Sequence, residues 1–180
     1  MIVTPTAIPE VLLIQPVAHG DHRGFFVETW HEARYAAAGI PGPFVQDNLS
    51  RSIRNTLRGL HYQAERPQGK LVRATLGTIF DVAVDLRRSS PTFGRWVGAV
   101  LSEDNHHQLW IPAGFAHGFY VLSDLADLIY KCTAPYSAAL DRALRWDDPE
   151  LGIEWPLAAA PLLSAKDAAA PSLREAEPYP

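Results

Sequence analysis

The chain has 180 residues, of which 47% are hydrophobic, and its formal net charge is −4. This length and composition suit one domain, spanning 1–180, with a buried core. The negative charge argues against a general nucleic-acid-binding protein. The single cysteine, Cys132, excludes an internal disulfide framework and fits a reducing compartment. The N-terminal segment has no basic region and is interrupted by Pro5 and Pro9, so we expect no signal peptide, no membrane span and a cytoplasmic location.

Most of the chain consists of short β-prone segments separated by Gly, Pro or Asp, a pattern typical of an all-β sandwich or barrel. One segment near the N-terminus, "TWHEARYAAAG", differs from the rest. Its Thr29 and Glu32 have the spacing of a capping box, and Gly39 follows the alanine run. This arrangement predicts a short helix.

The middle of the chain contains two β-prone runs, "KLVRATL" and "IFDVAVDL", on either side of Gly77 and Thr78. A two-residue connection of this kind predicts a β-hairpin. Alternation places Asp81 and Asp85 on the face opposite the large apolar side chains of the second run, and we interpret that face as exposed to solvent or to a dimer partner. The last segment, 156–180, is rich in alanine and proline, and by composition alone it is a loose tail.

Two short motifs resemble those that bind a metal in the cupin superfamily of small jelly rolls. "PAGFAH" supplies Pro112, Gly114 and His117 at the spacing of the second cupin motif. In "HYQ", however, Gln63 stands where the first motif carries its second histidine. Glutamine is a weak ligand for zinc, iron or copper, which prefer imidazole. His61 and His117 are then at most two good ligands, so we predict no metal and no other cofactor.

Without a metal, His61 is free to act as a general base near neutral pH, provided that a carboxylate fixes its tautomer. The candidates for that carboxylate include Asp47, Asp81, Asp85 and Asp167. The residues alone leave this choice open. The ammonium of Lys70 could stabilise an enolate, and the phenol of Tyr130 could donate a proton. Taken singly, however, a histidine, lysine or tyrosine of this kind more often has a structural or solvated role.

Longer segments carry a closer resemblance. They include "GDHRGFFVETW", "FVQDNLS", "LRGLHYQ", "QGKLVR", "LWIPAGFAHGFYVLS", "YKCT", "GIEWP" and "LSAKDAAAP", in this order. Together they resemble the dTDP-4-dehydrorhamnose 3,5-epimerases over nearly the whole chain. The resemblance implies a mainly β, jelly-roll, cupin-like sandwich or barrel with a few short helices, which forms a homodimer by exchanging strands. It also implies inversion of carbons 3 and 5 of dTDP-4-dehydro-6-deoxy-D-glucose, by proton abstraction beside the carbon-4 ketone and reprotonation on the opposite face.

The resemblance assigns catalytic roles to individual residues. His61 would take the proton, with Asp167 as its partner. Lys70 would stabilise the enolate oxygen, and Tyr130 would return a proton from the other side. The tail, 156–180, would then fold back over the site.

The resemblance also implies a set of substrate-binding residues. They are Arg23, Glu28, Gln46, Asp47, Asn48, Arg58, Lys70, His117, Tyr136, Asp141 and Lys166. The two arginines and the lysine of the tail suit the diphosphate, and Tyr136 suits stacking on thymine. Asp141 is a shorter acid where we expect glutamate. Strict alternation places Arg58 on the face opposite His61, so both can meet the substrate only if a bulge forms at Gly59.

Three alternatives stay open. The first is a 3- or 5-monoepimerase, or a ketoisomerase of antibiotic sugar pathways, on the same scaffold. The second is a metal-dependent cupin dioxygenase or isomerase, against which Gln63 argues. The third is a non-catalytic module that binds the dTDP-sugar through Arg23 and Glu28 and needs no proton donor at Tyr130. In no case do we expect a nucleic-acid or membrane partner.

Overall fold

Strands make up most of the regular structure in the computed structural model, which describes residues 1–180. The strands are β1 (Ile2–Pro5), β2 (Leu12–Gln15), β3 (Ala18–Asp21), β4 (Gly24–Val27), β5 (Gln46–Ile53), β6 (Leu57–Gln63), β7 (Lys70–Leu76), β8 (Thr78–Asp85), β9 (Trp96–Ser102), β10 (Gln108–Ile111), β11 (Phe115–Val121), β12 (Leu125–Cys132) and β13 (Asp141–Ala143). The helices are α1 (Glu32–Ala37) and α2 (Ala165–Ala168). Neither helix is long and apolar enough to cross a membrane.

Two antiparallel sheets face each other. One has six strands in the order β1-β2-β10-β7-β12-β5, and the other has five in the order β13-β6-β11-β8-β9. The main core fills the space between them, with Val72 and Leu128 from the first sheet against Ala83 and Phe119 from the second. Both sheets are open at their ends, so the mainly β fold that we predicted is confirmed as a sandwich with two short helices.

The predicted hairpin around Gly77 is wrong. β7 pairs with β10 and β12 in the six-stranded sheet, whereas β8 pairs with β11 and β9 in the other. Gly77 has a φ of 68°, and a Cβ there would lie 2.0 Å from the carbonyl oxygen of Leu125, so only glycine fits this corner between the sheets. Two alternating runs joined at a glycine are common to a hairpin and to such a corner, so the local sequence did not distinguish them.

The helix predicted near the N-terminus is present, but it begins two residues later than the capping-box spacing indicated. Its N-cap is His31, whose side chain makes no capping hydrogen bond. The carbonyl of Thr29 instead accepts hydrogen bonds from the Tyr35 hydroxyl and the Gln108 amide, which tie it to the six-stranded sheet. Gly39 follows the helix with a φ of 86°, as expected for a helix end.

The C-terminal segment covers the outer face of the five-stranded sheet. Leu173 and Tyr179 from this segment pack against the large apolar side chains of β8. The opposite face of β8 therefore turns toward the interior, and it carries Asp81 and Asp85, each 0% exposed. Our interpretation of that face as exposed was wrong, because alternation alone does not show which face of a strand the rest of the chain will cover.

Candidate active site

A cavity of about 370 Å³ opens between the two sheets. Three of the four predicted catalytic residues, His61, Lys70 and Tyr130, line it. The predicted binding residues that also line it are Gln46, Asn48, Arg58, His117, Tyr136, Asp141 and Lys166. Sequence reasoning missed Ser50 and Gln68, which also line the cavity. Continued alternation along β5 from Gln46 and Asn48 could have identified Ser50.

The two sheets supply different groups to the cavity. His61 on β6 and His117 on β11 project from the five-stranded sheet. Lys70 on β7 and Tyr130 on β12 project from the six-stranded sheet. An imidazole and a phenol therefore face the same space from opposite walls, so a flat molecule between the sheets would meet one on each side.

His61 is paired with Asp167, its partner 106 residues along the chain. The Nε2–H of His61 donates to Oδ1 of Asp167 at 2.6 Å, and Asp167 is 3% exposed. Ser164 caps the short helix that carries Asp167 by accepting a hydrogen bond from its backbone N–H. Burial opposes ionisation of Asp167, but hydrogen bonds from His61 and from the Gly59 backbone outweigh it and lower the pKa of this carboxyl. The lone pair of the neutral imidazole then lies on Nδ1, the nitrogen available for a proton.

A β-bulge brings Arg58 and His61 to the same cavity, which strict alternation would not allow. In the pairing of β6 with β11, His61 lies opposite His117 and Arg58 opposite Phe119, so two residues of β6 face one of β11. Gly59 has a φ of 115°, and a Cβ there would lie 2.6 Å from a backbone atom of β11. Only glycine permits this close approach.

Lys70 is buried without an ion-pair partner. It is 8% exposed and lies beside the cavity, and burial lowers the pKa of its ammonium from the ordinary value. Asp81 and Asp141 attract the ammonium without pairing with it and offset its burial only in part, so the charge is costly to keep. Its position therefore points to an anionic group that arrives with a ligand.

The pKa of Tyr130 is raised, whereas that of Lys70 is lowered. Burial, followed by the nearby Cys132 thiol, raises the pKa of its phenol, so that the group keeps its proton throughout the neutral range. Its ring centroid lies 6.3 Å from that of His117. A protonated phenol with a free hydroxyl in a partly desolvated cavity is suited to donating a proton.

A second histidine–aspartate pair lies on the same wall as His61. The Nε2–H of His117 donates to Oδ1 of Asp81 at 2.8 Å, and both side chains are buried. Burial lowers the pKa of His117, and the nearby charges of Lys70 and His61 act in the same direction, whereas Asp81 opposes them. Asp81, one candidate partner for His61, thus serves the other histidine.

Polar groups from two segments meet at the mouth of the cavity. The ammonium of Lys166 donates to Oδ2 of Asp141 at 2.5 Å, and the hydroxyl of Tyr136 donates to the same oxygen at 3.2 Å. The Tyr136 ring itself is mostly exposed. Asp141, although shorter than the glutamate that we expected, therefore links the aromatic ring to the lysine of the tail.

Arg23 and Glu28 do not line the cavity of their own chain, so their place among the substrate-binding residues stays a prediction. Arg23 lies at the tip of the β3–β4 hairpin, where it pairs with Asp21 at 2.6 Å. Glu28 follows the hairpin and accepts a hydrogen bond from Arg34 at 2.8 Å. The hairpin forms a separate two-stranded sheet that is hydrogen-bonded to neither large sheet, which keeps both residues away from the cavity.

The side chain of Asp47 also points away from the cavity, so its predicted place in the site needs correction. Gln46 and Asn48 face inward, and alternation along β5 turns Asp47 to the outer face of the sheet. There it pairs with Lys131 at 2.9 Å. The run "QDN" was too short a pattern to separate inward from outward positions.

Gln63, at the position of a missing metal ligand, is committed to backbone groups. Its Nε2 donates to the carbonyls of Arg66 at 2.9 Å and Pro135 at 3.3 Å, and its Oε1 accepts from the N–H of Ser137 at 2.6 Å. The nearby histidines each use Nε2 for an aspartate. No three histidine, cysteine or carboxylate side chains come together as a metal site would require.

Comparisons with known proteins agree over most of the chain. The sequence model of the family described as dTDP-4-dehydrorhamnose 3,5-epimerase matches residues 5–175. A Pseudomonas aeruginosa protein of that name is 56% identical over 178 residues, covering 98% of both chains. The Legionella pneumophila dTDP-6-deoxy-D-glucose-3,5-epimerase, solved in complex with dTDP-4-keto-L-rhamnose, is 52% identical with a TM-score of 0.94, covering 96% of this chain and 93% of that one. A 3'-monoepimerase from Streptomyces bikiniensis, solved with dTDP-quinovose, is 38% identical with a TM-score of 0.89, covering 96% and 88%. The chain therefore belongs to the dTDP-4-dehydrorhamnose 3,5-epimerase family.

Proposed function

We propose that this protein inverts carbons 3 and 5 of dTDP-4-dehydro-6-deoxy-D-glucose to give dTDP-4-dehydro-L-rhamnose. The observation that carries the proposal is the opposed placement of His61 and Tyr130 across one cavity, on facing sheets. An epimerase must take a proton from one face of a carbon and return one to the other face. A base and an acid on opposite walls meet that requirement without turning the sugar.

Proton removal depends on the wall formed by the five-stranded sheet, which carries His61. The ketone at carbon 4 acidifies the neighbouring C–H bonds, and Nδ1 of His61 accepts the proton as the C–H bond breaks. The bonding electrons move onto the ketone oxygen, giving an enolate, while Asp167, bonded at 2.6 Å, stabilises the imidazolium that forms. The ammonium of Lys70 supplies the opposite charge for the enolate oxygen.

Proton return depends on the wall formed by the six-stranded sheet, which carries Tyr130. As the enolate collapses to the ketone, the Tyr130 hydroxyl gives its proton to the carbon from the other face, which inverts the centre. The raised pKa of Tyr130 keeps the phenol protonated before this step. Solvent then restores both groups, so no cofactor enters the cycle and the same pair can act at each carbon.

The nucleotide half of the substrate needs groups at the mouth of the cavity. Arg58 and Lys166 bring positive charge for the diphosphate, and His117 adds a ring nitrogen to the wall of the same cavity. The exposed ring of Tyr136 offers a flat face for the thymine base. Lys166 must release Asp141 in part when the diphosphate binds, since the carboxylate holds it in the free chain.

The test is incubation of dTDP-4-dehydro-6-deoxy-D-glucose with the protein in deuterated water, followed by mass and NMR analysis. We expect deuterium at carbons 3 and 5 of an inverted product. Deuterium at one carbon would support the monoepimerase alternative, which the S. bikiniensis relative shows to be compatible with this fold. Tight binding with no exchange at either carbon would instead indicate a sugar-nucleotide-binding module. Activity that depends on added iron or zinc would favour the metal-dependent cupin alternative.

Tyr130→Phe separates proton return from proton removal. The variant keeps the ring and loses the donor, so we expect inversion to fall more than deuterium exchange, because His61 can still remove a proton and return one to the same face. The ratio of exchange to inversion, read by NMR, measures this. Tyr120→Phe is the matched control, since the Tyr120 hydroxyl bonds to Asn55 outside the cavity. Normal inversion with slowed exchange in Tyr130→Phe would mean that the two roles are reversed.

We further infer that the protein works as a homodimer in which the β3–β4 hairpin reaches the partner's cavity. Almost all of the hairpin is exposed, including Phe25 (64%) and Phe26 (71%), and an isolated two-stranded sheet is marginal in water. Pairing between subunits would bury these rings. It would also give Arg23 and Glu28 a substrate to bind.

Light scattering should give twice the mass of the chain, and Phe25→Ser with Phe26→Ser should shift it toward the monomer and weaken binding of dTDP. Val100→Ser, an exposed apolar residue elsewhere on the surface, is the control. A monomeric wild type, or a double variant that stays dimeric and binds normally, would contradict the inference.

Residues 1–180 work as one unit, because the C-terminal segment supplies Asp167 to a cavity that earlier strands build. We place the protein in the cytoplasm, which the single thiol, the buried Cys132, suits. Cell fractionation tests this location. Neither a nucleic acid nor a membrane enters the proposed reaction.

A further inference from the structure

The segment that carries Tyr136 is held almost entirely by glutamine side chains. Residues 134–137 lie between β12 and β13, outside regular structure. Within 134–136, no backbone group bonds to another backbone group. Such a segment would ordinarily be mobile, because nothing in a strand or helix ladder restrains it.

Three glutamines replace that ladder. Each bond joins one side-chain amide to one backbone group, and together the bonds reach four consecutive residues. They are Gln68 Nε2 to the Ala134 carbonyl at 2.7 Å, Gln63 Nε2 to the Pro135 carbonyl at 3.3 Å, the Tyr136 N–H to Gln46 Oε1 at 2.7 Å, and the Ser137 N–H to Gln63 Oε1 at 2.6 Å. We call these three residues the glutamine clamp.

We propose that Gln63 and Gln68 are positioning residues that fix the Tyr136 ring at the mouth of the cavity, where it meets the nucleotide base. Gln63 is the central member, since it bonds on both sides of Tyr136 and is only 3% exposed. Tyr136 is mostly exposed, and its one side-chain hydrogen bond is to Asp141, so its backbone largely decides where the ring stands.

The clamp also explains why glutamine stands at the position of a cupin metal ligand. A neutral histidine at this position would offer one donor and one acceptor, whereas Gln63 donates twice, to Arg66 and Pro135, and accepts once, from Ser137. The strand β6 therefore carries the proposed base, His61, and, two residues later, a group that serves nucleotide recognition. Because a positioned ring loses less freedom when a base stacks on it, the clamp should act on affinity and not on proton transfer.

This inference rests on the proposed function, in particular on Tyr136 stacking on the base, and its test must separate the two. Wild-type protein, Tyr136→Ala, Gln63→Met and Gln68→Met are titrated calorimetrically with dTDP and with inorganic pyrophosphate. The kcat and KM for the dTDP-sugar and the thermal midpoint are measured for each. Gln68→Met is included because Gln68 makes a single bond to the segment, so it threatens folding less than Gln63→Met.

We expect Gln63→Met to weaken dTDP binding about tenfold, because it removes two hydrogen bonds that order the stacking residue. Gln68→Met should show a smaller loss in the same direction. Pyrophosphate, which has no base to stack, should bind both variants as it binds the wild type. KM should rise while kcat changes little, a split that a general loss of structure would not produce.

Gln108→Met is the matched control. Gln108 is a buried glutamine that bonds the Tyr35 hydroxyl and the Thr29 carbonyl on the other side of the six-stranded sheet. The Gln108→Met variant loses a comparable amide but keeps the whole glutamine clamp. Its binding of dTDP should therefore be unchanged even if its thermal midpoint falls.

The inference is overturned if Gln63→Met and Gln68→Met bind dTDP as the wild type does, if pyrophosphate binding falls equally, or if kcat falls with KM unchanged. Normal dTDP binding by Tyr136→Ala would show that Tyr136 does not stack on the base. The clamp would then have no role in nucleotide recognition. A wild type that binds no dTDP would instead refute the proposed function itself. These outcomes differ, so a failure of the clamp cannot be mistaken for a failure of the enzyme assignment.

Discussion

His61→Ala is expected to slow epimerisation about a hundredfold to ten-thousandfold, with loss of deuterium uptake at both carbons. The variant removes the group whose Nδ1 accepts the proton, and the buried carboxylate of Asp167 loses its hydrogen bond from His61. Binding of dTDP should persist, since the nucleotide contacts lie elsewhere in the cavity. The measurement is the deuterium content of carbons 3 and 5 against time, with dTDP affinity measured in parallel.

His31→Ala is the matched control, because His31 is exposed and its side chain makes no capping bond. It should exchange both hydrogens at the wild-type rate. Unchanged turnover in His61→Ala would remove His61 as the base. Loss of dTDP binding together with turnover would show that the residue holds the site together instead of moving the proton.

Asp167→Asn tests the partner of the same base. The amide keeps the size of the carboxylate but can donate to Nε2, which would place the imidazole proton on Nδ1 and block the base. We therefore expect a loss of rate with nucleotide binding kept. Full activity would exclude Asp167 as the orienting group.

The effect of Asp167→Asn on the free energy of unfolding should also depend on pH. The pKa of Asp167 is lowered in the folded chain, so its carboxylate stabilises the fold fully above its ordinary pKa and less as the pH falls through the lowered value. The difference in unfolding free energy between wild type and Asp167→Asn should therefore shrink in acid.

Lys70→Met is expected to lower the rate about a hundredfold to a thousandfold, the usual cost of removing a group that stabilises a developing oxyanion. The same variant should unfold at a higher temperature than the wild type. Methionine fills similar space without a charge, whereas the wild-type ammonium is buried with no ion-pair partner. A residue that costs stability and supports activity is the pattern expected at a functional site.

The stability gain should depend on pH in one direction. Burial lowers the pKa of Lys70, so between the folded and unfolded values the unfolded chain binds the extra proton, and wild-type stability rises with pH. The advantage of Lys70→Met should thus be largest at neutral pH and shrink in alkali. Lys131→Met, on the outer face beside Asp47, is the control and should keep full activity. A fully active Lys70→Met, or one that melts well below the wild type, would contradict the assignment.

Local sequence determined the broad outline of this protein. Short β-prone runs with Gly and Pro between them predicted the mainly β fold, and ordered motifs predicted the family. The resemblance singled out His61, Lys70 and Tyr130, and all three line one cavity. Even the bulge at Gly59 could be expected, since alternation without it would have separated Arg58 from His61. These features depend on neighbours in the chain, which the sequence displays directly.

Tertiary structure decided how those parts are combined. Which aspartate serves which histidine depends on strand register and on the path of the C-terminal segment, and it gave Asp167 to His61 and Asp81 to His117. The corner at Gly77 and the outward side of Asp47 likewise followed from which sheet or face each strand joined. A hydrogen bond between residues far apart in the chain leaves no local sequence pattern. Its strength depends on the donor–acceptor distance and on the burial of both groups, and these are set only when the sheets have packed.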